Sequence, residues 1–283
     1  MKVEVLMSTY NGEKYLKQQL DSLKNQSVPV HILARDDGSI DETVEILNSY
    51  DSLEIIKGKN IGSTESFLTL IELAPEADYY AFSDQDDVWD INKIECAIQM
   101  LKEYDVIPAV YSSNSRLVND KLQFIKDEKK CPKTDLGSAI IKNYVTGCTV
   151  VFNRKLMYEL KKYRPINAPF HDWWVNLVCL SIGGVSLFDE IPHISYRQHG
   201  NNVVSGNSSF IKKWKSRLIK FFTVRYNRDK VAEEILIHYC DSLPIENQKL
   251  LESLAKKKLT KEMRTGKVFD DNLFRICALM NRL

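Results

Sequence analysis

The sequence predicts an α/β fold, with a mostly parallel sheet flanked by helices and a helical C-terminal extension. Three observations lead there. Short apolar runs alternate with stretches of helical periodicity through the first hundred residues, a rhythm that suits parallel strands covered on both faces. Polar clusters follow the first, second and fourth apolar runs, where such sheets bind their ligands. The charge is also divided. Residues 210–283 hold 17 Lys+Arg against 9 Asp+Glu, leaving 22 against 29 before them from totals of 39 and 38. An acidic front and a basic tail point to different tasks.

The elements follow in order. A first strand is expected over 3–7, then a helix over 12–24 with Tyr15, Gln19, Leu20 and Leu23 at helical spacing. Strand two covers 30–34, and a helix over 42–47 follows Ser39 and Asp41 as possible caps. Strand three is placed at 53–56, a helix at 66–73 and strand four at 79–82. A helix over 91–101, a strand or hairpin region over 109–124 and a polar loop over 126–135 come next. A strand over 148–152, helices over 155–161 and 173–180, and strands at 185–188 and 193–197 complete the first part. The small, polar stretch 205–209 is the expected boundary. It separates residues 1–205 from a basic helical extension over 206–283.

With 283 residues, 44% apolar and 27% charged, the composition is that of a soluble globular protein. No apolar run reaches the roughly 18 residues that cross a bilayer. The opening MKVEVLM carries Glu4 and reads as a strand, not a signal peptide. Six cysteines without a CxxC pair read as reduced thiols, which suits a cytoplasmic location, with peripheral attachment to the inner face of the plasma membrane left open.

Chemistry concentrates in four places. STYNG (8–12) is a small-residue turn into a helix, able to offer backbone N–H groups to a phosphate, although many strand-to-helix turns look alike. DDGS (36–39), followed by Asp41, fits a turn with caps, yet two adjacent acids exceed what a cap needs. SDQDDVW (83–89) crowds Asp84, Asp86 and Asp87 behind an apolar strand. Asp84 and Asp86 have the D-x-D spacing that holds Mg²⁺ or Mn²⁺ through oxygen ligands, while a solvated acidic turn is the plainer reading. FHDWW (170–174) reads as a helix start, with Asp172 as a possible cap and the tryptophans packing.

In their order and strand context, STYNG, DDGS-x-D and SDQDD resemble the inverting family 2 glycosyltransferases of the GT-A fold, over about residues 1–205. The resemblance implies a nucleotide-sugar donor and a divalent metal, Mn²⁺ or Mg²⁺, and makes 1–205 a catalytic domain with a nucleotide-binding half (1–105) and an acceptor-binding half (106–205). It places Thr9, Tyr10, Asn11, Asp36, Asp37, Ser83, Asp84 and Gln85 at the nucleotide sugar, and Asp86, Asp84 and His199 at the metal. Asp172 becomes the catalytic base. Thr146, Gly147, His171, Trp173 and Trp174 become acceptor contacts. His171 stands where the family commonly has Glu, and Asp87 is left without a firm role. SDQDDVW, HDWW and YRQHGNN (196–202) are similar in particular to bacterial rhamnosyltransferases of this family, which use dTDP-L-rhamnose.

The expected activity is therefore that of a metal-dependent inverting hexosyltransferase acting on a saccharide or lipid-linked acceptor in surface polysaccharide synthesis. The alternatives are another donor such as UDP-glucose or UDP-galactose, a sugar nucleotidyltransferase, or a non-catalytic sugar-nucleotide-binding partner. A homo-oligomer is left open. Residues 210–226 read as an amphipathic helix with Lys212, Lys213, Lys215, Arg217 and Lys220 beside its apolar face. It suits an anionic membrane surface or packing on the catalytic domain equally well, and no nucleic-acid-binding module accompanies the charge.

Overall fold

The computed structural model describes residues 1–51, 53–198 and 227–279. Its centre is a seven-stranded sheet in the order β10-β6-β9-β4-β1-β2-β3, whose strands are β1 (Val3–Thr9), β2 (His31–Asp36), β3 (Leu53–Lys57), β4 (Tyr79–Ser83), β6 (Ala109–Ser113), β9 (Val151–Asn153) and β10 (Val185–Asp189). Only β9 runs antiparallel to its neighbours, β4 and β6. Parallel pairing of β1 with β2 and β4 puts the ends of all three at one edge, so the three polar clusters meet there.

Strand β1 is apolar because both its faces are covered. Val3, Val5 and Met7 join one hydrophobic cluster, and Leu6 joins the other. Glu4, fully buried within the strand, is matched across the ladder by His31, whose Nδ1 lies 2.7 Å from its carboxylate. Helices α1 (Glu13–Lys24), α2 (Thr43–Asn48), α3 (Ser63–Leu73) and α4 (Lys93–Leu101) fill the crossovers. In α1 the buried positions are Leu16, Gln19, Leu20 and Leu23, the stripe its periodicity predicts.

Past α4 the structure departs from the expected elements in instructive places. The 109–124 region divides between β6 and a second, four-stranded sheet, ordered β5-β11-β7-β8, of β5 (Val88–Trp89), β7 (Arg116–Val118), β8 (Phe124–Asp127) and β11 (Ile194–Arg197). The strand expected at 148–152 is a 3-10 turn, Gly147–Thr149, followed by β9. Val151, Phe152 and Asn153 pair with β4, whereas Cys148 precedes the ladder. A short helix, α5 (Leu136–Ile141), ends the stretch read as a loop. It starts where the Asp135 carboxylate accepts the Ser138 N–H at 2.7 Å, an N-cap that the polar run before it hides. Helices α6 (Arg154–Leu160) and α7 (His171–Ser181) follow, and every residue of α7 is buried.

The boundary expected at 205–209 lies outside the described residues, as does the amphipathic segment 210–226. Beyond them stand α8 (Arg228–His238), α9 (Ile245–Ala255) and α10 (Val268–Leu279). Val231, Ile235, Leu251, Leu254 and Phe274 belong to the same apolar cluster as Phe82, Trp173 and Trp174. Arg228 binds the end of α5, donating from Nε to Ile140 O and from a terminal nitrogen to Ile141 O, both at 3.0 Å. Those are carbonyls that a helix end leaves without intrahelical partners. No helix among the described residues is long and apolar enough to cross a membrane. Cys96, Cys131, Cys148, Cys179 and Cys240 are free thiols.

Because Ile235 is 1% exposed within this shared cluster, Ile235→Ala is expected to cost about 2–5 kcal/mol. Urea unfolding followed by both tryptophan fluorescence and circular dichroism is expected to show one shared transition, shifted to lower urea.

Candidate active site

The site forms where β1, β2 and β4 end, and its three loops are tied to each other by side chains. Gln85 grips the first loop twice: its Oε1 accepts Tyr10 N–H at 2.8 Å and its Nε2 donates to Tyr10 O at 3.0 Å. Gly12 leaves room for this, since a Cβ there would lie 2.3 Å from Gln85 Oε1. Asn11 is left-handed at φ 47. It joins the second loop by donating its N–H to Ser39 Oγ (2.9 Å) and accepting Ile40 N–H (3.0 Å) at its side-chain oxygen. Tyr10 itself projects outward, 46% exposed.

The adjacent acids of the second loop have different surroundings. Asp36 receives Thr9 Oγ1 (3.2 Å), the Gly38 and Ser39 N–H groups (3.1 and 2.9 Å) and Ser39 Oγ, so it shapes the turn. Asp37, 3% exposed, points away into the fold. It pairs with the Arg35 guanidinium and accepts N–H groups from Ile61 (3.0 Å) and Gly62 (2.9 Å), where α3 begins. Both its oxygens are engaged there, so its contribution to the nucleotide site expected of it would be indirect.

At the third loop the chain bends at Gln85 and Asp86, between β4 and β5. Asp84 and Asp87 share a cluster with Cys148, their ligand atoms all within 4.8 Å of one another. This differs from the Asp84–Asp86 pair suggested by D-x-D spacing, and His199 lies outside the described residues. Burial, with Asp86 and Asp172 nearby, pushes the Asp84 carboxyl up to about 7. Asp87 is raised well above the carboxylate range by burial and then by Asp86 and Asp84. Its Oδ2 is buried without a hydrogen-bond partner. Crowded, partly desolvated carboxylates of this kind fit a hard divalent cation, which would favour their ionised forms.

Asp87 also receives the role it lacked, because its Oδ1 accepts the Arg197 N–H at 3.0 Å. Arg197 is 1% exposed and organises the loop from below. Its guanidinium donates to Asp86 O (2.8 Å), Asp120 O (2.5 Å) and Gln18 Oε1 (2.6 Å), and lies 4.4 Å from the Tyr15 ring centroid. Gln19 fixes the other side. Its amide oxygen accepts from Ser83 Oγ (2.7 Å) and Trp89 Nε1 (3.2 Å), and its nitrogen donates to Asp87 O (2.5 Å). Lys93, fully buried, places Nζ 3.4 Å from the Trp89 ring centroid. Burial lowers it to about 7, against the pull of Cys148 and Asp87.

Facing this loop, the first turn of α7 carries His171 and Asp172, each 9% exposed. A helix N-terminus favours a carboxylate. Asp172 Oδ1 accepts from Asn143 Nδ2 (3.0 Å) and Trp173 N–H (2.6 Å). Burial pushes Asp172 up to about 6, against the lowering effects of Trp173, Asn143, the Gly147 N–H and Lys130. His171 stacks on Phe67, with centroids 4.0 Å apart, and burial lowers it to about 3, so it is neutral. Gly147 lets the Thr146 turn press on both residues, since a Cβ there would be 2.9 Å from His171 Nε2 and 3.7 Å from Asp172 Oδ2.

Trp173 and Trp174 are corrected by the structure. At 2% and 1% exposed they are core residues, and Trp173 Nε1 donates to Ala139 O at 2.7 Å. They support the helix that presents Asp172 and are closed to an acceptor. Asn143 and Lys130 are residues that the sequence alone did not single out, and Arg197 lay in the YRQHGNN run without a role of its own.

The description "Glycosyl transferase family 2" matches residues 4–161. The chain is 32% identical over 231 residues to a dTDP-rhamnosyl transferase, RfbG, of Shigella flexneri, covering 74% of this chain and 77% of that one. In structure it resembles S. aureus TarS in complex with UDP-GlcNAc, with a TM-score of 0.57 at 19% identity, over 99% of this chain and 80% of that one. It also resembles the mannosyltransferase PcManGT of Pyrobaculum calidifontis in complex with GDP-Man and Mn²⁺, with a TM-score of 0.54 at 14% identity, over 100% and 88%. The mostly parallel sheet flanked by helices is thus the GT-A glycosyltransferase fold.

Arg197→Met removes a buried guanidinium and leaves the Asp86 and Asp120 carbonyls without those bonds. It is expected to cost about 3 kcal/mol, read by urea unfolding.

Proposed function

The chain belongs to glycosyl transferase family 2, and we propose that within it the protein is an inverting, metal-dependent hexosyltransferase. It moves L-rhamnose from dTDP-rhamnose to a saccharide or lipid-linked saccharide of a bacterial surface polysaccharide. The observation that carries the mechanism is the placement of Asp172. It stands alone at the start of α7, close enough to the acidic loop to raise Asp84. The likeness to a dTDP-rhamnosyl transferase supports the donor.

In this reading Tyr10, Asn11 and the Asp36 turn receive the nucleoside. Ser83, Asp84 and Gln85 shape the floor beneath the donor. Asp84 and Asp86 would hold Mg²⁺ or Mn²⁺, which would supply positive charge to the departing diphosphate. Asp172 takes the proton of the acceptor hydroxyl as its oxygen attacks the anomeric carbon. The carbon–oxygen bond to the diphosphate breaks on the opposite face, the anomeric centre inverts, and the proton rests on Asp172. A single displacement needs no covalent intermediate. The neutral His171 and the Thr146–Gly147 turn flank the acceptor hydroxyl, and Asn143 keeps Asp172 turned toward it.

A panel of nucleotide sugars, with Mn²⁺ and water as acceptor, tests the donor: dTDP-rhamnose is expected to be hydrolysed fastest, releasing dTDP. Preferred hydrolysis of UDP-glucose or UDP-galactose would overturn that choice, and pyrophosphate release would indicate a nucleotidyltransferase. Asp172→Asn is expected to lower turnover by about 10²–10⁴-fold with calorimetric donor affinity unchanged. Asp86→Ala is expected to weaken donor binding in Mn²⁺ more than in EDTA. Since Asp172 must be ionised to act as a base and is raised to about 6, wild-type turnover should fall as pH drops through that value.

A further inference from the structure

Lys130 lies in a polar stretch that nothing in the motifs marks, yet it is held more firmly than an ordinary surface lysine. Asn114, 1% exposed just beyond the end of β6, clamps its backbone from both sides. The Asn114 Oδ1 accepts Lys130 N–H at 2.9 Å, and its Nδ2 donates to Lys130 O at 3.1 Å and to Glu190 O at 3.0 Å. Thus placed, the Lys130 ammonium donates to Thr146 Oγ1 at 2.8 Å and pairs with Glu128 at 3.0 Å. Thr146 opens the turn whose Gly147 rests against His171 and Asp172. One buried asparagine, one lysine and one glycine turn thus connect the end of β6 to the carboxylate at the head of α7.

We propose that Lys130 is the positioning residue for Asp172, its ammonium fixing the Thr146–Gly147 turn beneath that carboxylate. The proposal rests on Asp172 being the base. Around Asp172 stand Asp84 from the acidic loop, Lys130 with its partner Glu128, and neutral His171 from α7. Among the described residues, Lys130 is the cation that acts on Asp172, a smaller influence than burial and opposed to it. Removing it frees the Thr146 hydroxyl that holds the Gly147 turn and withdraws that charge, so Asp172 takes up a proton at higher pH.

The test compares wild type, Lys130→Met, Lys130→Arg and Asp172→Asn in hydrolysis of the nucleotide sugar selected by the panel. Mn²⁺ is present, pH runs from 5 to 9, and thermal melting confirms that each variant is folded. Lys130→Met is expected to move the acid limb of the kcat profile to higher pH, with donor KM within about twofold of wild type. Lys130→Arg should restore the limb. An unmoved limb in Lys130→Met, or a raised donor KM with kcat intact, overturns the proposal, the second result making Lys130 a donor contact. If Asp172→Asn turns over like wild type, the base assignment falls and this inference with it. If Asp172→Asn is inactive while Lys130→Met matches wild type, this inference alone falls.

Discussion

Mutual repulsion among Asp84, Asp86, Asp87 and Asp172 is the constraint to which the surrounding structure responds. Buried carboxylates this close favour proton uptake over shared charge, and Asp84, Asp87 and Asp172 are all raised. The fold answers each one differently. Asp87 turns inward to the Arg197 N–H, with Lys93 buried nearby. Asp172 stands apart on a helix N-terminus with Asn143. Asp84 and Asp86 are left half-buried at the mouth of the loop, where, in the proposed function, a divalent cation and a diphosphate would be the complementary pair.

Loop rigidity follows from the same arrangement. A site that must hold several like charges in a fixed order cannot rest on loose turns, and here each loop is bonded to another by side chains. Gln85 ties the acidic loop to Tyr10, and Asn11 ties that first loop to Ser39 and Ile40. Arg197 ties the end of the second sheet to the floor of the acidic loop. Such preorganised polar groups are effective in catalysis because they need little rearrangement as charge develops. The C-terminal helices contribute at a distance, through the core cluster that holds Trp173 and Trp174 under Asp172.

Much of this was legible in the residues. The alternation of apolar runs and helical stripes located β1–β4 and their helices to within a few residues, because local periodicity reports burial directly. The acidic clusters at strand ends were visible for the same reason. What escaped depends on contacts distant in sequence. Arg197 lies 110 residues from Asp87, and Asn143 lies 29 residues from Asp172, so neither spacing forms a motif. The two aspartates of DDGS look alike in sequence, yet Arg35 and the start of α3 draw Asp37 into the fold while Asp36 shapes the turn. HDWW failed in the opposite sense. The resemblance made both tryptophans acceptor contacts beside the expected base, but a helix buried on every face directs them into the core.

The central claim is that the acidic loop is built to share one divalent cation with a nucleoside diphosphate. Titrating Mn²⁺ into the wild-type protein with dTDP present, and counting free ion by electron paramagnetic resonance, tests it most directly. The account predicts one tightly held ion per chain, with affinity that rises on adding dTDP. An equal Mn²⁺ affinity with and without the nucleotide, or no bound ion at saturating dTDP, would contradict it.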